Sequence, residues 1–139
     1  MSAARPSLPQ LADFLRTEFP QNPCVIEAVG ERGATIRKAV DEADLRPGGT
    51  VSGPTLMMVA DVALYVALLG EIGIVPLAVT TNLNTTFLRK PAAGRDVIGV
   101  CRLLKVGRTL ATGDVLLYSD GHPEPVAHAV GSYAIPAAR

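Results

Sequence analysis

The feature that most constrains the fold of this sequence is an apolar segment at residues 54–71, P-T-L-M-M-V-A-D-V-A-L-Y-V-A-L-L-G-E. It is too long for a buried strand, and its Leu, Ala and Met residues favour an α-helix. Because the segment is apolar nearly all round, the rest of the chain must enclose such a helix. The sequence therefore predicts a buried central helix.

One carboxylate, Asp61, lies near the centre of this segment. An ionised carboxylate among apolar neighbours loses hydration at a large free-energy cost unless a partner or water reaches it. Two interpretations follow from the residues alone. Asp61 either touches solvent or a neighbouring strand at a helix edge, or it performs chemistry that requires it there.

Most of the remaining chain alternates polar and apolar residues, which is typical of β-strands. The segment 77–88 predicts one long strand, with Thr80, Asn82, Asn84 and Thr86 on one face. The residues Val79, Leu83 and Phe87 belong to the other face. Turn-like connections separate three more predicted strands, at 97–106, 110–118 and 126–135.

The N-terminal part predicts a short helix followed by a hairpin. Ser7 can cap a helix with Gln10 three residues on, and Pro20 ends it. Two β-rich runs, 25–29 and 34–40, are joined by G-E-R-G. The whole order predicts an α+β fold, in which a curved antiparallel sheet wraps around one central helix, and a single domain over residues 1–139.

Composition excludes several functional classes. Hydrophobic residues make up 48% and charged residues 19%, with 13 basic and 13 acidic side chains, so no net field favours nucleic acid. Two separate cysteines and two histidines predict no disulfide framework and no metal site. The N-terminal residues predict no secretory signal, and the length of the apolar run predicts no membrane span. We expect a cytoplasmic protein that does not bind membranes.

The start of the central helix offers a second candidate group. Ser52 or Gly53 caps it, and the free N–H groups and positive dipole end there can polarise a carbonyl oxygen. Gly53 precedes Asp61 by eight residues, which is about 12 Å along a helix axis. One chain cannot easily bring both groups to one carbonyl, so a second subunit is the natural supplier of one of them.

Four further stretches of the sequence are P-G-G-T-V-S-G-P-T-L-M-M-V-A-D, L-A-V-T-T-N-L-N-T-T-F-L-R-K-P, L-L-K-V-G-R-T-L-A and V-A-H-A-V-G-S-Y. Together they resemble the hotdog-fold acyl-CoA thioesterases of the phenylacetic-acid-degradation and 4-hydroxybenzoyl-CoA thioesterase type. The resemblance implies a hotdog fold and a homodimer, commonly doubled to a dimer of dimers. It also implies an acyl-CoA substrate and no cofactor beyond the coenzyme A of that substrate.

The resemblance assigns roles to several residues. The Gly53 N–H would bind the thioester oxygen, and Asp61 of the neighbouring subunit would act as general base or nucleophile. Thr80 matches a water-contacting hydroxyl of some relatives, with Asn82 as its nearest neighbour on the same face. Tyr65, one helical turn after Asp61, can donate a hydrogen bond near the same pocket.

Three positions depart from the family pattern. Ser52 stands where relatives have His, Pro54 where they have a second Gly, and Arg46 near a position that is often Asn. We interpret Ser52 chiefly as a helix cap, because no strand precedes it closely enough to form a nucleophile elbow. These departures leave open a noncatalytic acyl-CoA-binding protein. A hotdog dehydratase is a third option, but such an enzyme needs a catalytic His near the helix, and this helix has none.

Basic and turn residues complete the predicted substrate site. Taken singly, these side chains are most simply solvated surface charges. Together with the N–H groups of the V-G-R-T turn, they can bind the phosphates of coenzyme A. The predicted coenzyme A contacts are Arg89, Lys90, Gly107, Arg108 and Thr109.

Overall fold

The apolar segment forms the central helix in the computed structural model, which describes residues 5–137. This helix, α2, spans Gly53–Ile72, and a shorter helix, α1, spans Leu8–Glu18. The strands are β1 (Val25–Gly30), β2 (Gly33–Lys38), β3 (Val79–Phe87), β4 (Val97–Val106), β5 (Leu110–Ser119) and β6 (Ala127–Ala134). Each predicted element is present, and most boundaries differ from the prediction by one or two residues.

The six strands form one antiparallel sheet in the order β1-β2-β4-β5-β6-β3. The inward-facing residues of these strands and α2, which is buried on all sides over residues 62–69, form a single, mainly aliphatic core. The helix α2 packs against every strand of the sheet. The predicted α+β architecture, a curved sheet around one central helix, is therefore confirmed.

Two glycines let α2 approach the sheet closely. A Cβ atom at Gly131 would lie 2.6 Å from Leu64, and one at Gly113 would lie 3.0 Å from it. Neither glycine belongs to a turn. Gly113 sits mid-strand, opposite an irregularity between Leu103 and Lys105 of β4. Both glycines therefore form the socket into which Leu64 of the helix inserts.

A register shift in β3 corrects the predicted faces of that strand. Thr80 pairs with Tyr133 and Asn82 pairs with Ser132, so Thr81 is an extra residue in the strand. Directly paired residues share a face, and adjacent residues of β6 point to opposite faces. Thr80 thus faces the core side and Asn82 faces outward. The expectation that they lie on one face was wrong, because alternation in the sequence does not reveal a bulge.

The length of α2 also differs from expectation. At 20 residues it is the one helix, within residues 5–137, that is long and apolar enough to cross a membrane. Length therefore does not exclude a span, contrary to the sequence interpretation. Thirteen of its residues are buried by the rest of the chain, as in a core helix. The expected absence of a secretory signal concerns residues 1–9, of which 1–4 lie outside the described residues.

Candidate active site

The carboxylate of Asp61 is held by hydroxyl groups from two neighbouring strands. Thr80 Oγ1 donates to Asp61 Oδ1 at 2.6 Å, and the Tyr133 hydroxyl donates to the same oxygen at 2.7 Å. Because of the bulge, Thr80 and Tyr133 form one cross-strand pair whose side chains both point towards α2. Asp61 is half-buried rather than fully enclosed, so its second oxygen can meet a ligand.

Asp61 lines a cavity of about 430 Å³. The chain has only six Phe and Tyr residues, and four of them contribute to the walls of this cavity. α1 supplies Phe14 and the residue after its end supplies Phe19, while α2 and β6 supply Tyr65 and Tyr133. The carboxylate therefore faces a mainly apolar space with aromatic walls on several sides, which suits the organic part of a small substrate.

The two tyrosines of this cavity are fixed by packing. Their rings stack with centroids 5.9 Å apart, and the Tyr65 hydroxyl donates to the Pro76 carbonyl at 3.0 Å. Burial raises the pKa of Tyr133, and the negative charge of Asp61 raises it further. Burial also raises the pKa of Tyr65. Both phenols are thus neutral donors over the ordinary pH range. Sequence reasoning selected Tyr65 and missed Tyr133, although Tyr133 falls on the inward phase of β6.

The first residue of α2 lies away from this cavity. Ser52 caps the helix, since its Oγ accepts from the Thr55 N–H at 3.3 Å, and Pro54 has no N–H to offer. Within the described part of the chain, the Gly53 N–H has no hydrogen-bond partner. Gly53 instead faces the ring of Phe87, at the far end of β3 from Thr80, where a Cβ atom would lie 3.2 Å from that ring. The predicted pair, Gly53 and Asp61, is therefore not brought together within one chain.

A buried polar network, absent from the sequence predictions, supports the start of α2. Lys38 Nζ lies 2.7 Å from Asp44 Oδ2, and the two side chains are only 7% and 9% exposed. Thr55 Oγ1 donates to Asp44 Oδ1 at 3.2 Å, and the Ser52 N–H donates to the Asp44 carbonyl at 2.8 Å. Ser52 is therefore a structural cap tied to Asp44, as its spacing indicated.

The predicted coenzyme A contacts fall into two groups. Gly107, Arg108 and Thr109 line an open cavity of about 1140 Å³, which shares Pro76 and Leu77 with the Asp61 cavity. Arg89 and Lys90 line a separate cavity of about 130 Å³. The two groups lie beyond opposite ends of β6, and this strand is seven residue steps long, roughly 23 Å. One chain does not gather all five residues at one phosphate site, because the two turns lie at opposite sheet ends.

Two ends of the sheet thus carry different functional groups. One end, which we call the acid end, holds Asp61, Thr80, Tyr133 and the turn 107–109. The other, the amide end, holds Gly53, Phe87, Arg89 and Lys90. Asn82 lies between them on the outer face. Residues 5–137 contain no group of three or more His, Cys, Asp or Glu side chains that could hold a metal.

The family model of the thioesterase superfamily matches residues 48–126, more than half of the chain. The chain belongs to the thioesterase superfamily. It is 47% identical to a candidate thioesterase from Silicibacter sp. TM1040, with 94% of this chain and 92% of that one covered and a TM-score of 0.87. This match and the observed topology confirm the hotdog fold.

More distant superfamily structures share the fold. Zebrafish thioesterase superfamily member 2 is 19% identical, with a TM-score of 0.81 over 94% of this chain and 99% of that one. A variant of the phenylacetic acid degradation protein PaaI from Thermus thermophilus is 22% identical, with a TM-score of 0.71 over 89% and 99%. Among curated proteins, none matches this superfamily member significantly. Membership supports thioester hydrolysis as the class of reaction.

Proposed function

We propose that the protein is a cytoplasmic acyl-CoA thioesterase that cleaves an acyl-CoA into a free acid and coenzyme A without a cofactor. The observation that carries the proposal is the Asp61 carboxylate, oriented by two hydroxyls at the wall of an aromatic cavity. The cavity would take the acyl group. The adjoining cavity beside Arg108 would take part of coenzyme A.

The active site is proposed to form between two subunits. β3 is the last strand of the sheet, and among the described residues only β6 pairs with it. Four large apolar residues at this edge are exposed by 48–75%: Leu77, Val79, Phe87 and Leu88. A second copy that pairs with β3 in antiparallel orientation would bring its amide end beside the acid end of the first. Two equivalent sites would result, and a dimer of dimers would contain four.

The proposed reaction uses these two ends together. Asp61 accepts a proton from water as the water oxygen bonds to the thioester carbonyl carbon. The Gly53 N–H of the partner subunit stabilises the resulting oxyanion. The C–S bond then breaks, and the coenzyme A thiolate takes the proton from Asp61. In the alternative course, Asp61 attacks the carbonyl carbon directly, the C–S bond breaks and coenzyme A leaves as the thiolate. Water then hydrolyses the mixed anhydride to the free acid and the Asp61 carboxylate, and the thiolate takes the proton that this step releases.

The test is a hydrolysis screen with purified protein and acyl-CoAs of different length and aromaticity, in which released thiol is measured. Both cysteines are buried, and burial raises the pKa of Cys24 to about 11 and that of Cys101 to about 12, so the protein's own thiols stay unreactive. We expect multiple turnovers by the wild type and their loss in Asp61→Asn with an unchanged fold. Equal kcat for both proteins would contradict the assignment.

A noncatalytic acyl-CoA-binding protein is the second candidate. Pro54 favours it, because the second helical position offers no N–H and leaves a single free donor, Gly53, at the helix start. This candidate predicts saturable binding of acyl-CoA, measured by calorimetry, together with thiol release at the background rate. Multiple turnovers that depend on Asp61 exclude it.

A further inference from the structure

The two oxygens of the Asp61 carboxylate have different surroundings. Oδ1 accepts hydrogen bonds from both Thr80 and Tyr133, whereas Oδ2 accepts none from the residues that the structure describes. The two oxygens of a carboxylate are chemically equivalent, so a half-turn about the last torsion restores the same state, but intermediate rotations change the direction of both oxygens. Two donors at one oxygen oppose those rotations and hold the group in one orientation.

Tyr133 is the more rigid of the two donors. The residue is 5% exposed, and its ring stacks on Tyr65, whose own hydroxyl donates to the Pro76 carbonyl. Thr80 lies on the exposed edge strand β3, while β6 lies inside the sheet between β5 and β3. The Tyr133 hydroxyl also lies 3.1 Å from the Asp61 carbonyl oxygen, so it is placed against both the backbone and the side chain of that residue.

We infer that Tyr133 is a positioning residue for Asp61, which holds Oδ1 in place and leaves Oδ2 as the oxygen that acts on water or the thioester. The inference rests on the proposed thioesterase activity and adds a residue to it. Tyr133 does not itself touch the reacting atoms. A carboxylate held in its productive orientation reacts without a search for that orientation, so the contribution is to kcat.

Tyr133→Phe removes the hydroxyl and keeps the ring that stacks on Tyr65. The matched control is Tyr118→Phe, which removes the same group from β5, on the outer face of the sheet. For Tyr133→Phe we expect a fall in kcat of about 10- to 100-fold, the range for one hydrogen bond to a charged group. KM and the melting temperature should change little, and Tyr118→Phe should match the wild type in all three measurements.

The outcomes separate this inference from the proposed function. If the kcat of Tyr133→Phe is within twofold of the wild type while Asp61→Asn is inactive, the inference about Tyr133 is overturned and the proposed thioesterase activity stands. A lowered melting temperature with raised KM and unchanged kcat shows a structural role and also overturns it. If Tyr133→Phe does not fold, Thr80→Val tests the same oxygen, and kcat must fall. A wild type without turnover overturns both.

Discussion

The Cβ position of Gly53 lies 3.2 Å from the ring of Phe87, so the first residue of α2 meets the last residue of β3. This contact lies at the amide end of the sheet, where the Gly53 N–H is free to bind a ligand. It also makes Gly53 a position at which added bulk can be compared with added bulk plus loss of the N–H group.

Gly53→Pro removes the N–H and adds a ring against Phe87, whereas Gly53→Ala keeps the N–H and adds only a methyl group there. Proline suits the first helical turn, so we expect both variants to fold. Loss of an oxyanion donor lowers kcat by about 10²- to 10³-fold, whereas the alanine variant should lose less than about tenfold because the Phe87 ring can move. Steady-state kinetics and circular dichroism measure both. Equal losses would mean that the methyl group, not the N–H, matters.

Mixing two inactive variants tests whether the site is shared between subunits. In a mixed dimer of Asp61→Asn and Gly53→Pro chains, one site contains both defects and the other contains neither. Random exchange makes half of the dimers mixed, so about a quarter of wild-type activity should return after co-refolding. Two Asp61→Asn preparations treated in the same way give the baseline. No recovery would place both groups in one chain's site.

The acyl cavity offers a test of specificity through the end of α1. Phe19 lines the cavity and its ring lies edge-on to Tyr65, with centroids 6.4 Å apart. Phe19→Ala enlarges the cavity, and we expect kcat/KM to rise for longer acyl groups relative to the best wild-type substrate. Leu8→Ala, at the start of α1 and not on this cavity, controls for loosening of α1. If the ranking of substrates by kcat/KM does not change, Phe19 does not contact the acyl group.

Much of this fold was predictable from the sequence because its signals are local. The apolar length of α2, the capping box of Ser7 and Gln10, and the period-two strands each depend on residues close together in the chain. The sheet order and the β3 bulge depend on pairing between distant strands. The sequence carries no comparable signal for them, and the predicted face of Thr80 was wrong for that reason.

The candidate site was predictable only in part. Asp61 stood out as a charge in an apolar segment, and the family resemblance pointed to Thr80, which does contact it. Sequence reasoning did not select Tyr133 or the two phenylalanines at α1, because nothing local says which hydroxyl or ring reaches a carboxylate far along the chain. It did not select the buried pair of Lys38 and Asp44 for a similar reason.

The buried pair of Lys38 and Asp44 should contribute strongly to stability. Lys38→Met leaves the Asp44 carboxylate buried without its cation, and loss of one partner of such a pair costs about 3–5 kcal/mol in free energy of unfolding. Urea unfolding at pH 7 measures this. Arg16→Met, which removes an exposed cation from α1, should cost less than about 1 kcal/mol. Equal stability of the two variants would contradict the assigned role.

The same pair predicts an acid limit of stability. Burial acts to raise the pKa of the Asp44 carboxyl, but hydrogen bonds from Lys38, the Asp41 N–H and Thr55 outweigh it, so its pKa lies below the ordinary value of 3.8. A depressed pKa contributes stability above the unfolded value, and that contribution is lost as pH falls from about 3.8 through the folded value. Unfolding curves should show this loss in the wild type and not in Asp44→Asn.

The socket formed by Gly113 and Gly131 has a consequence for how this fold tolerates change over evolution. Leu64 lies three residues after Asp61 on α2 and occupies space that any side chain at either glycine would need. An alanine at Gly131 would force either the Leu64 side chain or the helix itself to move, and a shift of the helix would draw the carboxylate from Tyr133 without touching either residue. Selection on the chemistry of Asp61 should therefore extend to two positions that have no side chain.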